Sequence, residues 1–342
     1  MRRTGKPEAV VITSSIYQKA SKIFEEYAAA IRWQECPDEE AAVAQRVTSE
    51  QCRIAVVGVT AYRGELYRAL AANAHGGAAL IARFGVGYDG IDLRQCLEQR
   101  IQLTITPNTL NQSVAEHTIG LMLCLARQIP GLERRFRDGS FEHRTGIELC
   151  GKSLGLAGFG GIGRKVAHIA SSGFGMKVLA FDVVSLEDQT KRESLSEREF
   201  LSRYGLSLYT TDYAALASQA DFLSIHMALT SQTRGFFHAG RLGLLREGAW
   251  LVNTSRGALV DEEALFDALA SGKLGGAALD VFSREPYQPA DPARDLRKLP
   301  NVVLTPHVAS DTVEANQQMA RSVVQNVRAF LEGRLQDLDQ VK

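Results

Sequence analysis

The stretch Ser153-Leu154-Gly155-Leu156-Ala157-Gly158-Phe159-Gly160-Gly161-Ile162-Gly163-Arg164-Lys165-Val166 decides the fold. An apolar run ends at Gly158, and glycines recur at Gly160 and Gly163 in a G-x-G-x-x-G pattern. Arg164 to Ala170 then reads as a helix. The whole is a strand, a tight turn and a helix N-terminus. Gly158 allows the turn, Gly160 lets the backbone approach a pyrophosphate, and Gly163 lets the helix pack on the strand. The free amides at the helix start suit an anion. The next apolar run, Met176 to Phe181, ends in Asp182, 19 residues after Gly163. An acid there meets the hydroxyls of an adenosine ribose. The residues alone point to a dinucleotide site.

Composition narrows the setting. The chain has 342 residues, about right for two domains. Hydrophobic residues make up 45% and charged residues 23%, a soluble globular balance. Acids and bases cancel at 39 each, which leaves no electrostatic footprint for nucleic acid or an anionic membrane. Cys36, Cys52, Cys96, Cys124 and Cys150 are scattered with no C-x-x-C pair, which suggests reduced thiols and no metal site. After basic Arg2 and Arg3, the run Ala9 to Ile12 is too short for a signal segment. No run reaches the roughly 18 apolar residues of a membrane span. A cytoplasmic protein is expected.

Strands alternating with helices imply parallel sheets covered on both faces. Strands are expected at 9–14, 54–57, 78–82 and 102–106, with helices at 15–30, from Asp38, at 65–74 and at 92–100. A long helix over Ser113 to Gln128 is ended by Pro130. Residues 131–150 read as a polar surface arm. The second set of strands and helices begins at Ser153. The charged stretch 187–203 reads as a solvated helix or an inserted loop. Helices follow at 212–220, 233–245, 261–270 and 313–331. Strands follow at 221–226, 250–253, 276–282 and 302–305.

In open α/β sheets, ligands bind beyond the carboxyl ends of the strands. Four such ends carry chemistry: Gly85-Val86-Gly87-Tyr88-Asp89, Thr254-Ser255-Arg256-Gly257, Asp280-Val281-Phe282-Ser283-Arg284-Glu285-Pro286 and Thr305-Pro306-His307. A guanidinium at Arg256 can grip a carboxylate with two hydrogen bonds. His307 can carry a proton near neutral pH. Glu285 is the acid placed to pair with it, and a carboxylate partner favours the imidazolium. His117 and His168 fall on helices, His75 and His143 in loops, and His226 ends a strand without an acid partner.

The motifs G-F-G-G-I-G, N-T-S-R-G-A-L-V-D, A-A-L-D-V-F-S-R-E-P and L-T-P-H-V-A-S, in this order, resemble those of the D-isomer-specific 2-hydroxyacid dehydrogenase family. The stretches from Ser113 and from Gly85 fit as well, so the resemblance covers nearly the whole chain. It implies two doubly wound parallel-sheet α/β domains, one flavodoxin-like and one Rossmann-like, with an active-site cleft between them. Residues 1–107 with 313–342 would form the substrate domain, and 108–312 the NAD-binding domain. His307 would be the general acid/base, Glu285 its orienting partner and Arg256 the substrate clamp. The amides near Val86 and Gly87 would hold the substrate carboxylate. Gly158, Gly160, Gly161, Ile162, Gly163, Asp182, Thr254, Ser255, Asp280 and Ser310 would bind NAD, with Asp280 on the nicotinamide amide. A homodimer is implied, with the 131–150 arm at its interface.

Within the family, Leu125-Ala126-Arg127-Gln128-Ile129-Pro130 resembles the phosphoglycerate dehydrogenase branch. The chain departs from that branch at Gly58-Val59-Thr60, where such members carry an arginine for phosphate; Arg63 lies off register. Val183 stands where proline is common after the acid, and Met227 follows His226 where the family favours a proline. The Asp182 to Asp221 connection is longer than usual. A regulatory domain after Lys342 is not expected, nor is serine-type feedback through one. Three readings stand: an active NAD-dependent 2-hydroxyacid dehydrogenase of unassigned substrate, 3-phosphoglycerate dehydrogenase, and a non-catalytic NAD-sensing protein of the corepressor type.

Overall fold

The computed structural model describes residues 7–341, so Arg2, Arg3 and Lys342 lie outside the described residues. The chain forms two compact units. One runs to Leu110 and resumes at Asp311; the other is Asn111–Ser310.

The first unit holds β1 (Glu8–Thr13), β2 (Ile31–Cys36), β3 (Ile54–Val57), β4 (Ala79–Arg83) and β5 (Ile101–Thr104). They lie in the order β2-β1-β3-β4-β5, all parallel. That is the flavodoxin-like order. The interior strands β3 and β4 are buried throughout, which is why they read as unbroken apolar runs. Edge strand β2 carries Arg32, Gln34 and Glu35 between its buried ends, so its sequence gives little strand signal. The helix expected over 15–30 is two, Ser14–Lys19 and Ser21–Glu26, because Ala20 leaves the helical conformation between them. The long helix Val313–Leu331 belongs to this unit and buries Val323, Val324, Val327 and Phe330.

The second unit holds β6 (Ser153–Ala157), β7 (Lys177–Phe181), β8 (Leu206–Thr210), β9 (Phe222–Ile225), β10 (Ala249–Asn253), β11 (Leu274–Leu279) and β12 (Val302–Leu304). Their order is β12-β11-β10-β9-β6-β7-β8, again all parallel. Chain order reverses between β6 and β9, and a ligand crevice opens at such a switch point. One face is covered by helices Asn111–Arg127 and Gly161–Phe174, which pack Ala115, Met122, Val166 and Ala170 against Leu154 and Leu156. The other face buries Tyr213, Leu216, Leu242 and Leu265.

Three segments differ from the sequence reading. Pro130 begins a helix as well as following one: Gln128 turns left-handed at φ 52°, and Ile129–Arg137 is helical. A proline in a first turn needs no N–H, so it is tolerated there. The charged stretch after Asp182 is two helices, Leu186–Glu193 and Glu197–Tyr204. Each opens on a serine cap, and Ser196 with Glu199 forms a reciprocal capping box. The helix expected over 233–245 shrinks to Ala239–Gly243. No helix among the described residues is long and apolar enough to cross a membrane.

Candidate active site

The glycine turn follows β6 as its spacing requires. Gly158 has φ +97°, and a Cβ there would lie 2.6 Å from the His226 carbonyl. A Cβ on Gly163 would strike the Gly158 carbonyl oxygen, so the helix can approach the strand only with glycine there. Gly160 is different: a Cβ there would meet no protein atom within 4 Å. Nothing in the protein demands glycine at that position, whereas the close approach of a pyrophosphate does. Gly161, Ile162 and Gly163 open the helix Gly161–Phe174, and amides in a first turn have no intrahelical acceptor. These residues fit a dinucleotide phosphate.

Asp182, at the end of β7, is half-buried. Its carboxylate accepts from Phe159 N at 2.7 Å and from Val184 N at 3.0 Å. A carboxylate has about four acceptor sites, so two directions remain for ribose hydroxyls. Asp182 therefore ties the glycine turn to the second strand as well as offering an acceptor.

The charged helices after Asp182 reach back to the same turn. Arg164 donates to Phe159 O at 3.2 Å, to Gln189 Oε1 at 2.7 Å and to Tyr204 Oη at 3.1 Å. It also pairs with Glu193. Its guanidinium lies 5.0 Å from the Tyr204 ring centre. Below it, Phe159 packs edge-on against Phe200, Tyr204 and Tyr209. The inserted stretch is thus fastened to the dinucleotide turn, a role that its charge pattern alone conceals.

Arg256, Glu285 and His307 come together at the carboxyl ends of β10, β11 and β12. Glycine at 257 makes this possible, since any Cβ there would collide with the Phe282 carbonyl carbon. Asn253 holds the Arg256 bend: its amide donates to Arg256 O at 2.9 Å, and its oxygen accepts from Ser255 N at 3.0 Å. Glu285 accepts from Phe282 N at 3.0 Å and faces His307 Nδ1 at 2.7 Å. Burial raises the Glu285 carboxyl, but hydrogen bonds from His307 and Phe282, with the charge of Arg256 nearby, outweigh it and hold it below the usual range.

His307 itself is left-handed, with φ 53°. Asp280 supports that bend. Its carbonyl accepts from His307 N at 2.8 Å. Its carboxylate accepts from Thr305 Oγ1 at 2.5 Å, Val308 N at 2.9 Å and Ala309 N at 2.9 Å. Asp280 is 0% exposed. Burial raises its carboxyl, yet the His117, Thr305 and backbone hydrogen bonds prevail and hold it low. Its two oxygens thus hold the chain on the C-terminal side of His307. Thr254 is buried, with its hydroxyl 3.0 Å from that of Thr118, and Ser255 Oγ donates to Met227 O at 2.5 Å. Ser310, half-buried, closes the segment.

Val86 and Gly87 lie in the first unit, in the loop after β4. Arg83 donates to Gly87 O at 2.8 Å and also to Phe84 O. Gly85 O accepts from Thr106 N at 3.0 Å. The Gly85 N–H donates to Thr106 Oγ1 at 3.1 Å, which fixes the start of the loop. Sequence reading missed Arg83, although an arginine directly before a glycine-bearing strand end was a visible cue. Among the other histidines, His226 bonds Ser224 Oγ at 2.9 Å, and burial pushes its pKa down to about 3. All five cysteines are free, and no group of three or more metal-ligating side chains occurs among the described residues.

Comparison with known proteins agrees with this geometry. The family model described as "D-isomer specific 2-hydroxyacid dehydrogenase, NAD binding domain" matches residues 119–309. A glyoxylate reductase of Thermofilum pendens is 38% identical over 262 residues, which cover 75% of this chain and 73% of that protein. A glyoxylate reductase of Thermococcus litoralis is 34% identical over 96% of this chain and 95% of its own length. The crystal structure of a glyoxylate reductase from Paecilomyes thermophila superposes with a TM-score of 0.79 at 28% identity, covering 96% of each chain.

Proposed function

The chain belongs to the D-isomer specific 2-hydroxyacid dehydrogenase family and is an NAD-dependent oxidoreductase interconverting a 2-keto acid and a D-2-hydroxy acid, and we propose that His307, Glu285 and Arg256 are its catalytic residues. The observation that carries these roles is the 2.7 Å pairing of Glu285 with His307 Nδ1 beside Arg256. With Nδ1 turned to the carboxylate, Nε2 is left to exchange a proton with the substrate oxygen. The imidazolium donates that proton in reduction, and the neutral imidazole accepts it in oxidation. Arg256 binds the substrate carboxylate through its planar fork and stabilises charge growing on the neighbouring oxygen.

The amides of Val86 and Gly87 are assigned to the substrate carboxylate. Gly158, Gly160, Gly161, Ile162 and Gly163 would hold the pyrophosphate of NAD, Asp182 its ribose and Asp280 the nicotinamide amide, with Thr254, Ser255 and Ser310 completing the site. Bound NADH supplies the hydride that adds to C2 of the keto acid. We assign small 2-keto acids such as glyoxylate and hydroxypyruvate as substrates. Val59, apolar and 64% exposed after β3, stands near the position where a phosphate-binding arginine would be needed. We also assign the protein to the cytosol, and infer a homodimer from the exposed rings of Phe136 (65%) and Phe141 (79%) in the 131–150 arm.

The test is a panel of glyoxylate, hydroxypyruvate, pyruvate and phosphohydroxypyruvate with NADH, followed by absorbance. Reduction of the unphosphorylated acids to D products supports the proposal. Phosphohydroxypyruvate as the best substrate would favour the phosphoglycerate reading. No NADH oxidation with any 2-keto acid would overturn it. Sedimentation equilibrium of the parent and of Phe136→Ser with Phe141→Ser checks the dimer.

A further inference from the structure

Two consecutive residues on the helix Asn111–Arg127 brace the strand ends that carry the catalytic groups. Thr118 Oγ1 lies 3.0 Å from Thr254 Oγ1, two positions before Arg256. His117 Nε2 lies 3.2 Å from Thr305 Oγ1 and 3.5 Å from Asp280 Oδ1. The helix is fixed behind them by Ala115, Ile119 and Met122, which pack into the core with Leu154, Val252 and Ala278.

Asp280 is the point from which the His307 bend hangs. Its side chain is 0% exposed, and it takes the amides on the C-terminal side of His307 while its carbonyl takes the His307 amide. A buried carboxylate is costly unless its acceptor sites are filled. The Val308 and Ala309 amides and the Thr305 hydroxyl are neutral donors. His117 adds a further donor, its Nε2, 3.5 Å from Asp280 Oδ1. The Thr305 hydroxyl donates to Asp280 at 2.5 Å, so its oxygen is free to accept from His117 Nε2–H. The hydrogen bonds therefore run from His117 through Thr305 to Asp280 and on to the His307 bend, a left-handed conformation that a non-glycine residue adopts only at a cost.

We propose that His117 is a positioning residue for the acid–base group: by donating from Nε2 to Thr305 and Asp280, it holds the bend that aims His307. The inference rests on the reading of His307 as the acid–base group.

The test compares His117→Leu, which removes the donor, with His117→Gln, whose amide nitrogen can stand near the position of Nε2. For His117→Leu, kcat for keto-acid reduction should fall about ten- to a hundredfold, as expected when a reacting group is misplaced by a fraction of an ångström. KM for the keto acid and Kd for NADH should stay within about threefold. His117→Gln should recover most of kcat. In the cofactor-free protein, the side-chain ¹⁵N NMR signals of His307 should shift or broaden in the Leu variant and return toward the parent in the Gln variant. A Leu variant with parental kcat would overturn the proposal. So would a Gln variant as impaired as the Leu variant, or a loss confined to NADH affinity. Should the Leu variant not fold, His117→Asn, whose shorter amide falls short of Thr305 and Asp280, takes its place: lowered kcat with displaced His307 signals supports the proposal, and parental values of both overturn it. A parent that reduces no 2-keto acid would overturn the dehydrogenase reading itself, a different result from a parent whose kcat ignores position 117.

Discussion

One oxygen of Glu285 lies 2.7 Å from His307 Nδ1, while the other accepts from the Phe282 amide at 3.0 Å. The carboxylate is held by its own loop before it meets the imidazole, so the pair does not depend on two floppy side chains finding each other. With Nδ1 facing a carboxylate, the proton on that nitrogen is fixed, and Nε2 becomes the working atom.

Glu285→Gln keeps the shape and removes the charge. Keto-acid reduction needs His307 protonated, and hydroxy-acid oxidation needs it neutral. Without the carboxylate, the imidazolium loses support, so the alkaline limb of the reduction profile should move to lower pH, while oxidation should persist further into acid. Identical pH profiles for parent and variant in both directions would remove Glu285 from this role.

The same residue bears on stability. Its carboxyl is held below its ordinary value of 4.5, so it binds fewer protons when folded than when unfolded. Its contribution is therefore present above that ordinary value and is lost as pH falls through the depressed folded value. Buried Asp280, also held low, acts in the same direction below its ordinary 3.8. On acidification below about pH 5, the parent should lose more thermal stability than Glu285→Gln. Parallel acid-side curves in calorimetry would contradict this.

Arg256→Lys replaces a fork with a point charge. kcat/KM for the keto acid should fall by about 10²–10³, the usual scale for losing a donor to developing negative charge. NADH binding, followed by fluorescence, should hold. A variant within a few-fold of the parent would show that Arg256 does not grip the substrate.

Asp182 should make NADH the preferred cofactor over NADPH, because its carboxylate repels a 2′-phosphate. It also holds the Phe159 amide at 2.7 Å. Asp182→Ser should therefore weaken NADH binding without giving NADPH the affinity that NADH has in the parent. A clean exchange of preference in titrations would show that the tie to the glycine turn is unimportant.

Phe200 is wholly buried against Phe159 in the glycine turn. Phe200→Ala should cost about 3–5 kcal/mol of stability, as large aromatic truncations do. Below the melting range, Kd for NADH should rise while kcat at saturating NADH changes little. If NADH affinity is untouched in the folded variant, the inserted helices do not support the cofactor turn.

The sequence by itself determined the strand, turn and helix at Ser153 to Val166, the acid at Asp182, and the succession of strand ends that bears Arg256, Glu285 and His307. These features are legible because each is local. Glycines at 158, 160 and 163 answer to a backbone path, and buried parallel strands such as Ile54–Val57 are apolar on both faces. Only the tertiary structure decided the rest. The stretch 187–203 looks like solvated charge because its anchors are Arg164 and Phe159, far back in the chain. Strands β2 and β8 sit at sheet edges, where one side meets solvent and the apolar signal fades. The fold also turned Asp280 inward as the anchor of the His307 bend and set His117 against Thr305, 188 positions away. A hydrogen bond across that separation leaves no periodicity in the sequence, since its two ends are brought together only when the helix Asn111–Arg127 packs across the sheet.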